Sequence, residues 1–403
     1  MASGFRTPAK RADRPAQRTA AASLRARSPY HRRVKIVSVV GTRPQLIKAA
    51  ALQPELRARH HEIFVDTGQH WDDALAGSFF RELGLARPDH SLDIGAGSHA
   101  GQTAAMLTRL EPILLDERPD AVLVYGDTNT TLAGALSAAK LGIPVAHVEA
   151  GLRSFDRRMP EEVNRVVTDH LSTWLFAPTP TAVANLATEG INEGVLEVGD
   201  LMRDLAARVG MEVRDPGVLG PIGRKLRLEL APGGYLLATI HRAGNRERTA
   251  MASWAGILGD AAATRPVVLA LHPGTRAALT GAGIVLPAGV HVVEPQGYRT
   301  TLALQLHCAA VLTDSGGVQR EAAWLGVPCL ILRDRTEWVE AVAESGGRVV
   351  VVGLDRERAA EALGRLAPTG RSAADARARA AGFALAPAGA AEAIAAALEG
   401  SHG

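Results

Sequence analysis

From Val34 onward, short β-branched runs alternate with longer stretches of helical spacing. A first series of apolar runs lies at 34–40 (VKIVSVV), 62–66 (EIFVD), 121–125 (AVLVY), 144–148 (PVAHV), 174–177 (WLFA) and 195–198 (VLEV). A second lies at 235–240 (YLLATI), 266–271 (PVVLAL), 290–293 (VHVV), 309–313 (AAVLT), 328–332 (PCLIL) and 348–352 (RVVVV). Helical patterns fall between most of them, for example at 45–58, 71–83, 100–116, 130–141, 161–173, 316–325 and 374–382. Continuously apolar strands are buried on both faces, and their alternation with helices calls for parallel sheets with right-handed crossovers. The pattern predicts an α/β chain of two Rossmann-like doubly wound domains, 34–200 and 201–372, followed by a helical segment, 373–403.

Charge changes the picture at the N-terminus. The 403 residues are net +3, but residues 1–33 alone hold nine basic side chains and one acid, a net +8, so residues 34–403 are net −5. A block of like charge reads as a disordered tail. Its Ala-, Arg- and Ser-rich, acid-poor composition also describes an organellar transit peptide, and a translation start near Val34 is a third reading. The slightly acidic body argues against nucleic acid as the main ligand. No apolar run approaches the roughly 18 residues needed to cross a membrane, and VKIVSVV leads straight into a Gly-Thr-Arg turn, unlike a signal peptide. A cytoplasmic protein without membrane partners is expected. Cys308 and Cys329 sit in apolar segments and read as buried packing residues,.

In doubly wound sheets, ligands bind beyond the carboxyl ends of the strands. The first strand ends in Gly41-Thr42-Arg43-Pro44-Gln45-Leu46-Ile47-Lys48. A helix start offers free N–H groups and a positive dipole end, and normally prefers acids in its first turn. Arg43 there, with Lys48, suggests an anionic ligand. Asp127 follows the run 121–125, Glu149 follows 144–148, and Glu161 lies in Met159-Pro160-Glu161-Glu162 at a helix start. Three carboxylates converging on one crevice would raise one another's pKa and suit acid/base chemistry; a divalent-metal site is an equally simple reading. In the second series, His241-Arg242 follows 235–240, and Asp314-Ser315-Gly316-Gly317 follows 309–313 and opens a helix carrying Glu321. The Ser-Gly-Gly turn is a phosphate cradle by the same physics.

With these residues assembled, the chain resembles the non-hydrolysing UDP-N-acetylglucosamine 2-epimerases. The matching strings are GTRPQLIK (41–48), TGQH (67–70), GDTNTTLAGALSAAKLGIPVAHVEAGLRS (126–154), MPEEVNRVVTDH (159–170), LFAPT (175–179), HRAGN (241–245), TDSGGVQREA (313–322) and RDRTEW (333–338). The resemblance implies a glycosyltransferase-B architecture, two Rossmann-like domains facing a central cleft, with the C-terminal helix crossing back onto the first domain. It implies homodimers, a nucleotide-sugar substrate, and neither metal nor other cofactor. It also implies interconversion of UDP-GlcNAc and UDP-ManNAc by elimination of UDP to 2-acetamidoglucal and re-addition.

Carried over by position, Asp127, Glu149 and Glu161 resemble the catalytic carboxylates, and His241 the residue that supports the diphosphate or shuttles a proton. Arg43, Lys48, Arg165, Ser315, Gly316, Gly317, Glu321 and Arg333 match substrate- and UDP-binding positions, and Gln69 and His70 line the same crevice in relatives. Several positions depart from the commonest pattern: Gln45 and Arg320 where glutamates are usual, Gly244 likewise, and Trp338-Val339 for Arg-Pro. Gln45, Arg157-Arg158-Met159-Pro160-Glu161-Glu162, Arg320 and Thr336-Glu337-Trp338 resemble a branch acting on UDP-2,3-diacetamido-2,3-dideoxy-glucuronate, whose carboxylate Arg157, Arg158 or Arg320 would meet. Thr301 stands where an aromatic against uracil is common. The same residues would serve a hydrolysing relative that releases ManNAc. A glycosyltransferase of this architecture or a catalytically dead nucleotide-sugar sensor are the remaining readings.

Overall fold

The computed structural model describes residues 33–69, 80, 82–271, 273–336 and 338–400. The basic segment 1–32, most of the helical pattern at 71–83, and His70 lie outside the described residues.

All twelve apolar runs form strands. The first sheet holds β1 (Lys35–Val40), β2 (His61–Asp66), β3 (His90–Ser91), β4 (Ala121–Tyr125), β5 (Val145–Val148), β6 (Trp174–Ala177) and β7 (Val195–Glu197). The second holds β8 (Leu236–Ile240), β9 (Val267–Leu271), β10 (Val290–Val293), β11 (Val311–Thr313), β12 (Cys329–Ile331) and β13 (Val349–Val351). Strand β3 has no apolar run and was not predicted. It is two residues long and borrows its register from β2, with Val65 opposite His90.

Every pairing is parallel. The strand orders are β3-β2-β1-β4-β5-β6-β7 and β10-β9-β8-β11-β12-β13. In each sheet the order reverses at one point, between β1 and β4 and between β8 and β11. Crevices open at such reversals, because neighbouring loops diverge to opposite faces. The central strands β4 and β5 are buried at every position, as their unbroken apolar runs require of a sheet covered on both faces. Cys308 and Cys329 are buried free thiols in the core.

Local chemistry fixes where the first helix begins. Gln45 Oε1 accepts from the Gly41 and Thr42 amides at 2.9 and 3.1 Å, closing a capping box over the helix Arg43–Arg59. Its Nε2 donates to the Tyr125 carbonyl at 2.9 Å and the Thr131 hydroxyl at 3.0 Å. An ionised glutamate could accept but not donate, so glutamine here ties the turn after β1 to the end of β4. A Cβ at Gly41 would overlap the Thr67 and Thr130 hydroxyls, so that turn has no room for a side chain.

The connection between the sheets is the helix Leu201–Val213. It packs on the helix Arg43–Arg59 from the first sheet and on Tyr298–His307 and Gly316–Trp324 from the second. The C-terminal helix Ala390–Ala397 returns to the first helix of the fold, where the His60 ring Nε2 lies 2.7 Å from the Ala395 carbonyl and Ile394 is fully buried.

Candidate active site

The loops at both sheet reversals face one cleft of about 500 Å³. From the first sheet it receives Arg43, Lys48, Asp127, Glu149 and Arg165, and from the second His241, Ser315, Gly316, Gly317, Arg320 and Glu321. Eleven side chains or backbone turns singled out in the sequence are thereby brought together.

Asp127 leaves the end of β4. Its carboxylate takes a hydrogen bond from Arg165 Nη2, and its carbonyl accepts Asn164 Nδ2 at 3.0 Å. Glu149 follows β5 with φ +74°, a left-handed conformation that costs a non-glycine residue on the order of 1 kcal/mol and concentrates at functional positions. Lys48 Nζ donates to its Oε2, and Arg320 Nη1 lies 3.4 Å from its Oε1. Burial pushes the Glu149 carboxyl up, but Lys48, Arg320 and Arg165 outweigh it and hold the group below its ordinary range.

The expectation that the carboxylates raise one another is thus corrected for Glu149, which its cations hold down, and Asp127 is paired with Arg165. Glu161 is exposed in the first turn of the helix Pro160–Leu171 and is not among the cleft-lining residues. Among the described residues, no group of three or more His, Cys, Asp or Glu side chains is placed to hold a metal ion.

Three further placements differ from expectation. Lys48 serves Glu149 directly, which puts it with the acid/base group as much as with an anion. Gln69 is buried away from the cleft lining and bonds the first turn of the helix Asn129–Lys140, accepting from Thr130 N at 3.1 Å and Thr130 Oγ1 at 2.8 Å. Arg333 is half-buried in the loop after β12, also outside the lining. Arg43 reaches the other sheet and donates to the Gln296 carbonyl.

On the facing side, Ser315 precedes the helix Gly316–Trp324 without a side-chain capping bond, which leaves the first amides of the helix open toward the cleft,. Glu321 is buried, and Gln305 Nε2 donates to its Oε2 at 2.5 Å. Burial pushes its carboxyl up to about 7. Thr301 lines the cleft and bonds the Gly297 carbonyl at 2.9 Å, with Tyr298 beside it as the nearby aromatic.

His241 stands at the cleft with its Nδ1 3.3 Å from Asp314 Oδ1. Asp314 is fully buried and also accepts the Arg242 amide at 3.0 Å and Asn245 Nδ2 at 2.9 Å. Burial pushes its carboxyl up, but His241 and these donors outweigh it, leaving it below the ordinary range. Asp314 fixes the orientation of His241, a role the sequence reading did not assign. The available signal was an aspartate directly after an apolar strand.

Comparisons with known proteins agree with this arrangement. Residues 54–399 match the model of the UDP-N-acetylglucosamine 2-epimerase family. A Methanococcus maripaludis protein named as a UDP-N-acetylglucosamine 2-epimerase homolog is 44% identical over 342 residues, covering 83% of this chain and 93% of that one. The UDP-2,3-diacetamido-2,3-dideoxy-D-glucuronate 2-epimerase of Pseudomonas aeruginosa is 43% identical over 335 residues, covering 81% and 91%. Among solved structures, the Methanocaldococcus jannaschii UDP-GlcNAc 2-epimerase in complex with UDP-GlcNAc and UDP superposes with a TM-score of 0.78 at 36% identity, covering 90% of this chain and 99% of that one. A Streptomyces nogalater glycosyltransferase, SnogD, matches with a TM-score of 0.50 at 17% identity over 92% of this chain and 100% of that one, a likeness of fold alone. The expected two-sheet architecture of glycosyltransferase-B type is therefore the one found.

Proposed function

Because the chain belongs to the UDP-N-acetylglucosamine 2-epimerase family, we propose that it interconverts UDP-GlcNAc and UDP-ManNAc without hydrolysis. C2 of the sugar has no neighbouring carbonyl, so its proton is not acidic enough for simple removal and return. In the proposed route a base takes the C2 proton while the C1–O bond to UDP breaks, giving 2-acetamidoglucal and UDP. The diphosphate oxygen then re-forms its bond to C1 as a proton reaches C2 from the opposite face.

Asp127 and Glu149 are the acid/base pair of this reading, with Arg165 and Lys48 setting their charge. Charge developing on the departing diphosphate is met by the Ser315-Gly316-Gly317 helix start, Arg43 and His241. Glu321, which lines the cleft, is the proposed acceptor for the ribose hydroxyls. Holding glucal and UDP together until re-addition requires a closed cleft. The observation that carries the reading is one cleft in which two cation-paired carboxylates of the first sheet face the phosphate cradle of the second.

The relative at 43% identity supports a second reading, a diacetamido-uronate substrate. Its carboxylate would need a spare cation. Arg320 is already matched by Asp200 and Glu149, Arg158 by Asp156, and Arg157 is exposed outside the cleft lining. None of the three arginines expected to meet that carboxylate is a spare cation in the cleft, which favours the neutral sugar. Incubation in D2O tests the choice: UDP-GlcNAc should gain deuterium at C2 and yield UDP-ManNAc. Free ManNAc would indicate hydrolysis, and exchange confined to the uronate would select the second substrate. The chain is further proposed to work as a cytoplasmic homodimer, which a solution mass near 42.3 kDa, that of one chain, would contradict.

A further inference from the structure

Arg320 joins three parts of the chain. It sits in the helix that begins at the phosphate cradle and is only 7% exposed. Its Nη1 donates to Asp200 Oδ2 and lies 3.4 Å from Glu149 Oε1. The guanidinium carbon stands 3.7 Å from the centre of the Trp338 ring and 5.8 Å from that of Trp324. Asp200 in turn caps the connecting helix Leu201–Val213, accepting from the Met202 amide at 2.8 Å. One buried side chain thus touches the cradle helix, the end of β5 and the first turn of the link between the sheets.

A buried cation persists only where its charge is matched. Here two carboxylates match its charge through Nη1, its buried Nε has no acceptor among the described residues, and the indole face of Trp338 fixes the plane of the guanidinium,. Trp338 also lines the cleft beside the cradle, where a Cβ on Gly316 would stand 2.9 Å from its Nε1. A ligand entering the cradle therefore meets the group that holds Arg320 in place.

Resting on the reaction proposed above, we propose that Arg320 is a positioning residue: it clamps the cradle helix to Glu149, so that seating a diphosphate also fixes the place of the acid/base carboxylate. The clamp is selective about charge. Glu149 is faced by Lys48 from the helix Arg43–Arg59, by Arg165 from Pro160–Leu171 and by Arg320. Arg320 is faced by Asp200, Glu149 and Glu321. Asp200 is faced by Arg320, Glu149 and Lys48, and its carboxyl is held above its ordinary range by burial and by Glu149. Removing Arg320 leaves Glu149 and Asp200 sharing the space with one cation fewer, so Glu149 should gain a proton more readily.

The test compares Arg320→Gln and Arg320→Lys with the wild-type full chain. Side-chain carboxyl ¹³C NMR, with Glu149 assigned through Glu149→Gln, follows its titration without needing turnover. Calorimetry with UDP reports cradle binding and serves as the check that the variants are folded. For Arg320→Gln we expect the Glu149 midpoint to rise by about one pH unit, and the acid limb of kcat to move with it. UDP affinity should change less than about threefold while kcat falls on the order of 10–100-fold, the cost of a displaced catalytic group. Arg320→Lys, which keeps the charge, should lie closer to wild type in the titration. An unmoved Glu149 midpoint in Arg320→Gln would overturn the clamp, and so would a loss of UDP affinity as large as the loss of kcat. If wild type exchanges no C2 proton from either sugar nucleotide, the reaction assignment falls, while the titration and UDP binding still decide the clamp.

Discussion

His147 and Asp169 are both fully buried, with the imidazole Nδ1 2.7 Å from the carboxylate Oδ1. The other ring nitrogen of His147 lies 2.7 Å from the Gly126 carbonyl, directly before Asp127. Both ring nitrogens thus face oxygen atoms. The second oxygen of Asp169 meets Arg153 Nη1 at 2.7 Å and the Gly151 amide at 3.1 Å, two residues beyond Glu149. Arg153 also forms a two-point pair with Glu189 at 2.7 Å for each bond. His147, Asp169, Arg153 and Glu189 thus form one connected network standing behind Asp127 and Glu149.

Breaking that network should be costly, because removing one partner strands the others without water. Asp169→Ala is expected to destabilise the fold by about 3–5 kcal/mol. Urea unfolding at neutral pH measures it; a loss below about 1 kcal/mol would mean the network does not support the site.

For the cleft carboxylates the expectation is different. Asp127→Asn and Glu149→Gln keep shape and lose proton-transfer capacity, so each should lower kcat by on the order of 10²–10⁴. UDP binding by calorimetry should stay close to wild type. Near-native turnover in either variant would remove that residue from the acid/base pair.

Gly316 is packed against Trp338, and an added Cβ would stand 2.9 Å from the indole Nε1. Gly317 has nothing within 4 Å of the same point. Without ligand, Gly316→Ala must therefore shift the indole, whereas Gly317→Ala need not. We expect Gly316→Ala to weaken UDP by about tenfold or more, roughly 1.4 kcal/mol, and to lower thermal stability. Gly317→Ala should leave thermal stability unchanged.

Glu321 makes stability depend on pH. Burial raises its carboxyl to about 7 from an ordinary value of 4.5, against the opposing hydrogen bond from Gln305. The folded chain therefore holds this proton more tightly than the unfolded chain. The resulting stabilisation is fully present below the unfolded value and is lost as pH rises from there through about 7. Its size is about 3 kcal/mol. Unfolding midpoints of wild type and Glu321→Gln across that range should diverge, with wild type losing ground as pH rises.

Much of this was legible because parallel strands are apolar throughout and place their chemistry just beyond their ends. Asp127, Glu149, His241 and the Ser315 turn were found that way. Residues holding that chemistry in place were harder to read. His147 lies inside the apolar run PVAHV, where a buried, paired imidazole looks like an isolated polar interruption until Asp169, 22 positions later, is folded against it. Asp200 and Arg320 are 120 positions apart and meet only through the connection between the sheets. Glu161 and Glu162 are adjacent in sequence, yet the helix turns Glu162 inward to accept Ser154 and Phe155 at 2.8–2.9 Å and leaves Glu161 exposed. A helical step of about 100° separates those two fates, and the string alone does not give its phase.

The most direct measurement is ¹H NMR of UDP-GlcNAc incubated with the purified full chain in D2O. Elimination and re-addition predict loss of the C2 proton signal through exchange with solvent, together with the appearance of UDP-ManNAc. UDP-GlcNAc that keeps its C2 proton and gives no UDP-ManNAc, under conditions where UDP binds, would contradict the assignment.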